Sequence, residues 1–435
     1  MANDTVHILV ADYVPLANRG EEAIVRGIED MLSGGRPVAL GLFDNVPEVA
    51  QTGNITIFPR EWLFQFEGNA GLSKSSRVLL QAAVALQLRL GMYGKLKNLT
   101  AAGDSRYRAL QDFFERTRYV LVGHDGVFCV ESCGTIRLAR SHGKRTGILG
   151  ASTGIGAGRC YKAGLYRQAL DESDFCIFRE RQSCESMRRV SRRPEKLLVG
   201  PDPAFAMHPA QADQVGGILE RHKNYQQARA AGRPVVAVTV LEKGRVYTGF
   251  RPDLAGQAKQ QAHAKYMAGI LDALVTKYRV FLLFLPHSVE DGASDVTSAR
   301  HVTEQMDAGP GDYQILEEDC GARLLKGIIR ECDFVVGERT HSLIGSVSVG
   351  TPFAALTNRR DTRTHGIIGE MCQCERQIVD MDVTDGQAAA RKVLEIYDSR
   401  ASIQEALTRV QKELSKQLLE IARLVKGEAT VHPRP

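Results

Sequence analysis

Residues 333–352 read DFVVGERTHSLIGSVSVGTP. The run DFVVG has the length and apolar character of a buried strand. The residues after His341 are small and apolar, and they stop at Gly350 and Pro352, as a helix would. Glu338, Arg339, Thr340 and His341 fill the junction. A strand that passes into a helix through charged residues is one repeat of a parallel α/β sheet, with its polar residues at the ligand-facing edge. Thr340 is suited to cap a helix running from His341 to about Val349. Arg339 and His341 then sit at the positive end of the helix dipole, a natural place for an anion. That field lowers an imidazole pKa, whereas a bound phosphate or carboxylate raises it.

The same alternation runs outward in both directions. Toward the N-terminus come VHILVAD (6–12), RPVALGLF (36–43), RYVLVG (118–123), RTGILGAS (145–152), DFCIFRE (174–180) and KLLVG (196–200). A second series comprises RPVVAVTVL (233–241), YRVFLLFLPHS (278–288), DYQILEED (312–319), the 333–338 run, TPFAAL (351–356) and RQIVDMD (376–382). Most are followed by helical patterns, which predicts two consecutive Rossmann-like α/β domains with parallel sheets facing a cleft. The polar stretch 208–234 lies between the series and marks the join. The expected division is an N-terminal domain over 1–210, a C-terminal domain over 211–385, a helix over 386–426 packing across both, and a disordered tail over 427–435.

Composition narrows the class. The chain has 435 residues, 43% hydrophobic and 25% charged, and its net charge of +5 is spread out rather than blocked. That argues for a soluble globular protein without a nucleic-acid-binding stripe. Nine cysteines are scattered, and the close pairs Cys129/Cys133 and Cys372/Cys374 lack zinc-site spacing. Reduced thiols, no signal-peptide pattern and no apolar run near ~18 residues predict a cytoplasmic protein. Residues 77–99, RVLLQAAVALQLRLGMYGKLKNL, leave two readings open. One is a buried or domain-covering helix; the other is an interfacial helix at the inner face of a membrane, making a peripheral contact where a lipid-linked substrate resides.

Polar residues recur at the other strand ends. Asn18-Arg19-Gly20 is a turn before an amphipathic helix whose first turn carries Glu21 and Glu22. His124-Asp125-Gly126 follows the 118–123 strand, and GASTGIGAGRC (150–160) is a Gly-rich loop able to cradle an anion beside Arg159. Arg179 and Arg181 flank Glu180 where another strand ends; they form either a solvated pair or a guanidinium aimed into the cleft. GPDPAFAM (200–207) places Asp202 at a strand end, and LPHSVEDGASD (285–295) does the same for His287 and Asp291.

NRGEEAI (18–24), HDGVF, GASTGIG, FRERQS, GPDPAFA and ERTHSLIGSVSVGTP occur in an order that resembles the polysaccharide pyruvyl transferase family over residues 6 to 382. The R-x-H-S/A-x-I…G-x-P segment carries most of that resemblance. It implies a GT-B-like fold, with the acceptor on the N-terminal side and the donor on the C-terminal side. It also implies transfer of the enolpyruvyl unit of phosphoenolpyruvate onto two hydroxyls of a sugar or lipid-linked glycan, giving a pyruvate ketal and phosphate. Phosphoenolpyruvate is the donor substrate, and no metal or other cofactor is implied. Carried onto this chain, Arg179, Arg339 and Arg363 hold the donor's anionic groups. His341 protonates the methylene carbon, and Asp12, Glu21 or Glu22 acts as base or orients the acceptor. Asn18, Gly20, Asp125, Gly154 and His287 complete the substrate site.

Three departures from the family pattern stand out. Gly20-Glu21-Glu22-Ala23 replaces Gly-Asp-Glu-Ala, His124-Asp125-Gly126 replaces a Gly-Gly-Gly-like turn, and Arg363 stands where a lysine is common. The alternatives are a GT-B glycosyltransferase using a nucleotide-sugar donor and a carbohydrate-binding protein without catalysis.

Overall fold

A computed structural model describes residues 5–62, 107–123, 128, 130–153, 160–241, 250–289 and 294–429. The 77–99 segment, with both of its readings, lies outside the described residues. So do His124, Asp125, Gly126, Gly154, Arg159, Asp291 and the tail from 430 onward.

The chain forms two compact units. The first comprises Met1–Leu16, Ile28–Pro203 and Gln417–Pro435; the second comprises Ala17–Gly27 and Ala204–Lys416. Sequence reading put all of 1–210 in one domain, whereas the Asn18–Ala23 segment folds with the second unit. In place of one helix over 386–426 there are two, Gly386–Asp398 and Arg400–Lys426. The longer one contributes its residues through Lys416 to the second unit and the rest to the first.

The first unit is built on strands β1 (Val6–Tyr13), β2 (Val38–Asp44), β3 (Ala50–Thr52), β4 (Ile55–Pro59), β5 (Tyr119–Val122), β6 (Arg145–Ala151), β7 (Phe175–Phe178) and β8 (Leu197–Val199). Among the described residues they are ordered β3-β4-β2-β1-β5-β6-β7-β8. Only the β3–β4 pair is antiparallel. That small edge hairpin turns at Gly53 and was not apparent from the sequence, because its polar first strand carries no strand signal.

The second unit contains β9 (Val235–Thr239), β10 (Phe281–Phe284), β11 (Tyr313–Ile315), β12 (Phe334–Gly337), β13 (Phe353–Thr357) and β14 (Ile378–Asp380). Its order is β11-β10-β9-β12-β13-β14, all parallel. Every residue of β9, β10, β12 and β13 is buried, which is why these runs are continuously apolar rather than alternating.

Chain order reverses between β9 and β12. At such a switch point the loops leaving the two strands diverge, and ligands of open α/β sheets bind there. The register pairs Gly337 with Thr239 and so brings both strand ends to the same level. The quoted E-R-T-H segment therefore begins at the position the topology reserves for a ligand.

Candidate active site

The four polar residues after β12 have four different tasks. Glu338 is 4% exposed; its Oε1 meets His263 Nε2 at 2.6 Å, and its Oε2 accepts the Leu241 N–H at 2.9 Å. Arg339 forms a bidentate pair with Asp295, in which Nε donates to Oδ2 at 3.1 Å and Nη2 donates to Oδ1. Asp295 is 1% exposed and also accepts the N–H groups of His287 and Ser288 at 2.9 and 3.0 Å. Arg339 thus fixes the loop that leaves β10. The pair engages Nε and Nη2 of the guanidinium and leaves Nη1 outside it.

Thr340 also differs from expectation. The helix spans Thr340–Val349, with Arg339 at the N-cap position and Gly350 closing it at φ 80°. The Thr340 hydroxyl does not cap the helix but meets Thr364 Oγ1 at 2.9 Å. Asp361 in turn accepts the hydroxyls of Thr364 at 2.7 Å and Thr357 at 2.8 Å. This chain of hydroxyls ties the helix start to a π-helix over Thr364–Met371.

Of the four, His341 lines a pocket among the described residues. Arg19, Ala23, Ala204, Met207, His287, Ala322, Lys326, Ile329 and Gly345 complete the wall, around about 300 Å³ of empty space counting the open mouth. The Arg19–Ser33 helix enters the pocket by its first turn. Asn18 caps that turn, its Oδ1 accepting the Gly20 N–H at 3.0 Å. The Arg19 N–H donates to the His287 carbonyl at 2.8 Å, which joins the turn to the β10 loop.

Gly20 is a glycine for a steric reason. A Cβ there would lie 2.4 Å from His341 Nδ1 and 2.9 Å from its Cγ. Gly20→Ala is expected to cost about 1–3 kcal/mol through overpacking. Because the ring is the part that must move, activity should fall about 10²-fold. Thermal denaturation and steady-state kinetics check the two effects separately.

The remaining polar walls are anchored. Arg19 Nη1 pairs with Glu22 at 2.9 Å and Nη2 with Asp319, while Glu22 Oε2 accepts the Ala322 N–H at 3.0 Å. Glu22 therefore caps the Ala322–Arg330 helix. Lys326 is 3% exposed, and its ammonium donates to the carbonyls of Ala204, Phe205 and Met207. Burial pushes the His287 imidazole down to about 4; Arg339 and His341 act in the same direction, against the Leu285 carbonyl and Asp295.

Other expected site residues lie elsewhere. Arg179, read as a donor-binding guanidinium, is 1% exposed inside the first unit, with Nη1 2.9 Å from Asp202 and Nε donating to Ser152 Oγ at 2.9 Å. Its length and charge are absorbed by the core. Asp12 lies in the first unit and accepts the Gly123 N–H across the ends of β1 and β5. Glu21 is half-buried in the first helical turn and Arg363 is half-buried at the start of the π-helix, and neither lines the pocket. Asp125 and Gly154 fall outside the described residues. Sequence reading passed over Arg19 and Lys326 as site residues. Arg19 sits inside the quoted NRGEE turn, so a signal existed; nothing local marks Lys326.

No described helix is long and apolar enough to cross a membrane. In fold, the chain is similar to a UDP-forming α,α-trehalose-phosphate synthase from Burkholderia xenovorans, with a TM-score of 0.52 and 12% identity over 98% of this chain and 100% of that one. It is equally similar to the glycotransferase of kitacinnamycin, with a TM-score of 0.52 and 12% identity over 98% and 99% of the two chains. These likenesses identify the fold as GT-B-like. In sequence, the amylovoran biosynthesis protein AmsJ of Erwinia amylovora is 22% identical over 422 residues, covering 92% of this chain and 94% of that protein. The sequence pattern of the polysaccharide pyruvyl transferases matches residues 18–360, from the Asn18 cap to beyond the β12–helix junction. With that match running through the segments that build the pocket, the chain is a transferase belonging to the polysaccharide pyruvyl transferase family.

Proposed function

We propose that the protein transfers the enolpyruvyl group of phosphoenolpyruvate onto two hydroxyls of one sugar in polysaccharide biosynthesis, forming a pyruvate ketal and releasing phosphate. The observation that carries this reading is the setting of His341. It stands in the first turn of a helix at the switch point of the second unit, in a pocket it shares with Arg19, Lys326 and His287. A proton donor among cations suits a substrate that is anionic and must be protonated on carbon.

In this reading His341 gives its proton to the methylene carbon, leaving an oxocarbenium-like centre at C2 that a sugar hydroxyl attacks. Phosphate departs, and the second hydroxyl closes the ring. The field of the pocket's cations and of the helix N-terminus holds the phosphate and carboxylate. The acceptor is a free or lipid-linked glycan; the relative named for amylovoran biosynthesis supports a polysaccharide context.

Incubation with phosphoenolpyruvate and a panel of sugar and lipid-linked acceptors tests the proposal. Release of phosphate with the mass gain of a pyruvate ketal on the acceptor is expected. Consumption of a UDP- or GDP-sugar, with phosphoenolpyruvate untouched, would instead assign the glycosyl transfer seen among proteins of the same fold.

A further inference from the structure

The pocket holds two imidazoles, and the second differs chemically from the first. His287 Nδ1 lies 3.1 Å from the Leu285 carbonyl. A carbonyl only accepts, so Nδ1 carries the proton. With the ring's pKa held near 4 by burial, the imidazole is neutral at pH 7 and Nε2 bears a lone pair. Nε2 makes no hydrogen bond among the described residues.

The ring is also fixed in place. Its main-chain N–H is taken by Asp295 Oδ2 at 2.9 Å, and its main-chain carbonyl by the Arg19 N–H at 2.8 Å. The charged and titratable groups around it are Asp295, Arg339 and His341, with Arg19 and Lys326 on the same pocket wall. Arg19 and Lys326 are donors only. An acceptor nitrogen set among donors recognises a ligand group that itself has a proton to give. An anionic oxygen does not qualify; a hydroxyl does.

We propose that His287 is the catalytic base that accepts the proton of the first attacking sugar hydroxyl. This rests on the ketal-forming reading and completes its proton balance. His341 delivers one proton to the methylene carbon. As the first hydroxyl oxygen bonds to C2, its proton passes to His287 Nε2. His287 returns that proton to the phosphate oxygen as the C2–O bond to phosphate breaks. The second hydroxyl then bonds to C2 and its proton restores His341. Both imidazoles end as they began, with one hydroxyl proton on carbon and the other on phosphate.

His287→Asn is the informative variant, because the Asn amide reproduces the Nδ1–H bond to Leu285 and lacks Nε2. It should keep the wild-type Tm and phosphoenolpyruvate Kd while kcat falls at least ~10²-fold. The wild-type rate should show an acid limb near pH 4 that the variant lacks. A His287→Asn enzyme retaining more than about a tenth of wild-type kcat overturns the proposal.

Nitrogen NMR of the labelled wild-type protein decides the matter even if the variant does not fold. An Nδ1–H tautomer that persists to pH 5 supports the base, and an imidazolium at pH 7 overturns it. If wild-type protein consumes no phosphoenolpyruvate with any acceptor, the ketal reading fails, and the NMR result then stands as a separate finding about the ring.

Discussion

His341→Ala should lower kcat for ketal formation by ~10²–10⁴-fold, the usual range for loss of a positioned general acid. Phosphoenolpyruvate binding should largely survive. The expectation of intact binding follows from the pocket's construction. Arg19 is held by Glu22 and Asp319, and Lys326 by three carbonyls, so neither depends on the imidazole for its position. The variant also leaves room above Gly20, where the ring had packed, and places no strain on the Asn18 cap. Isothermal titration with phosphoenolpyruvate and single-turnover kinetics separate the two effects. An unchanged rate removes His341 from proton transfer; lost binding with an intact rate per bound substrate makes it an anion ligand instead.

The largest stability effect is expected at Arg179. Its side chain is 1% exposed beside Asp202 at 0% and Glu180 at 3%. Ser152 and Ser183 hydroxyls bond the Glu180 carboxylate at 3.1 and 2.7 Å, and burial still raises its pKa against the pull of Arg179. Arg179→Ala removes the compensating cation and leaves buried carboxylates, a change that costs about 3–5 kcal/mol. Urea denaturation should show the midpoint falling with little change in m. Pairing the substitution with Asp202→Asn should recover part of the loss, since the stranded charge is then gone. An Arg179→Ala protein as stable as wild type would show that the pair contributes no net stabilisation.

The two arginines show where sequence reading stops. Arg179 and Arg339 both follow buried strands, and local context gives the same expectation for each. What distinguishes their roles is a carboxylate far along the chain, Asp202 for one and Asp295 for the other. Lys326 was illegible for a similar reason. Its partners are main-chain carbonyls about 120 residues away, and carbonyls leave no mark in a sequence. By contrast, each of the runs read as a strand contains one, and β9, β10, β12 and β13 were the most legible because a strand buried on both faces must be apolar along its length. Gly350 and Pro352 likewise placed the end of the Thr340–Val349 helix, since only the αL geometry of Gly350 was needed. The start moved by one residue when Thr340 bonded to Thr364.

The make-up of the two units has a consequence for synthesis. Chains emerge from the ribosome N-terminus first, and domains tend to fold as they appear. Here that order is frustrated twice. The second unit needs the Ala17–Gly27 turn, made at the outset, yet Glu22 waits some 300 residues for the Ala322 amide it caps. The first unit, mostly translated by Pro203, still lacks the segment from Gln417 onward. That late segment brings Ile421 against Gly200 and the carbonyls of Leu424 and Val425 to the Arg145 guanidinium. The second unit is complete only at Lys416 and the first only with the segment from Gln417 onward, so neither can finish folding until nearly all of these residues have been made.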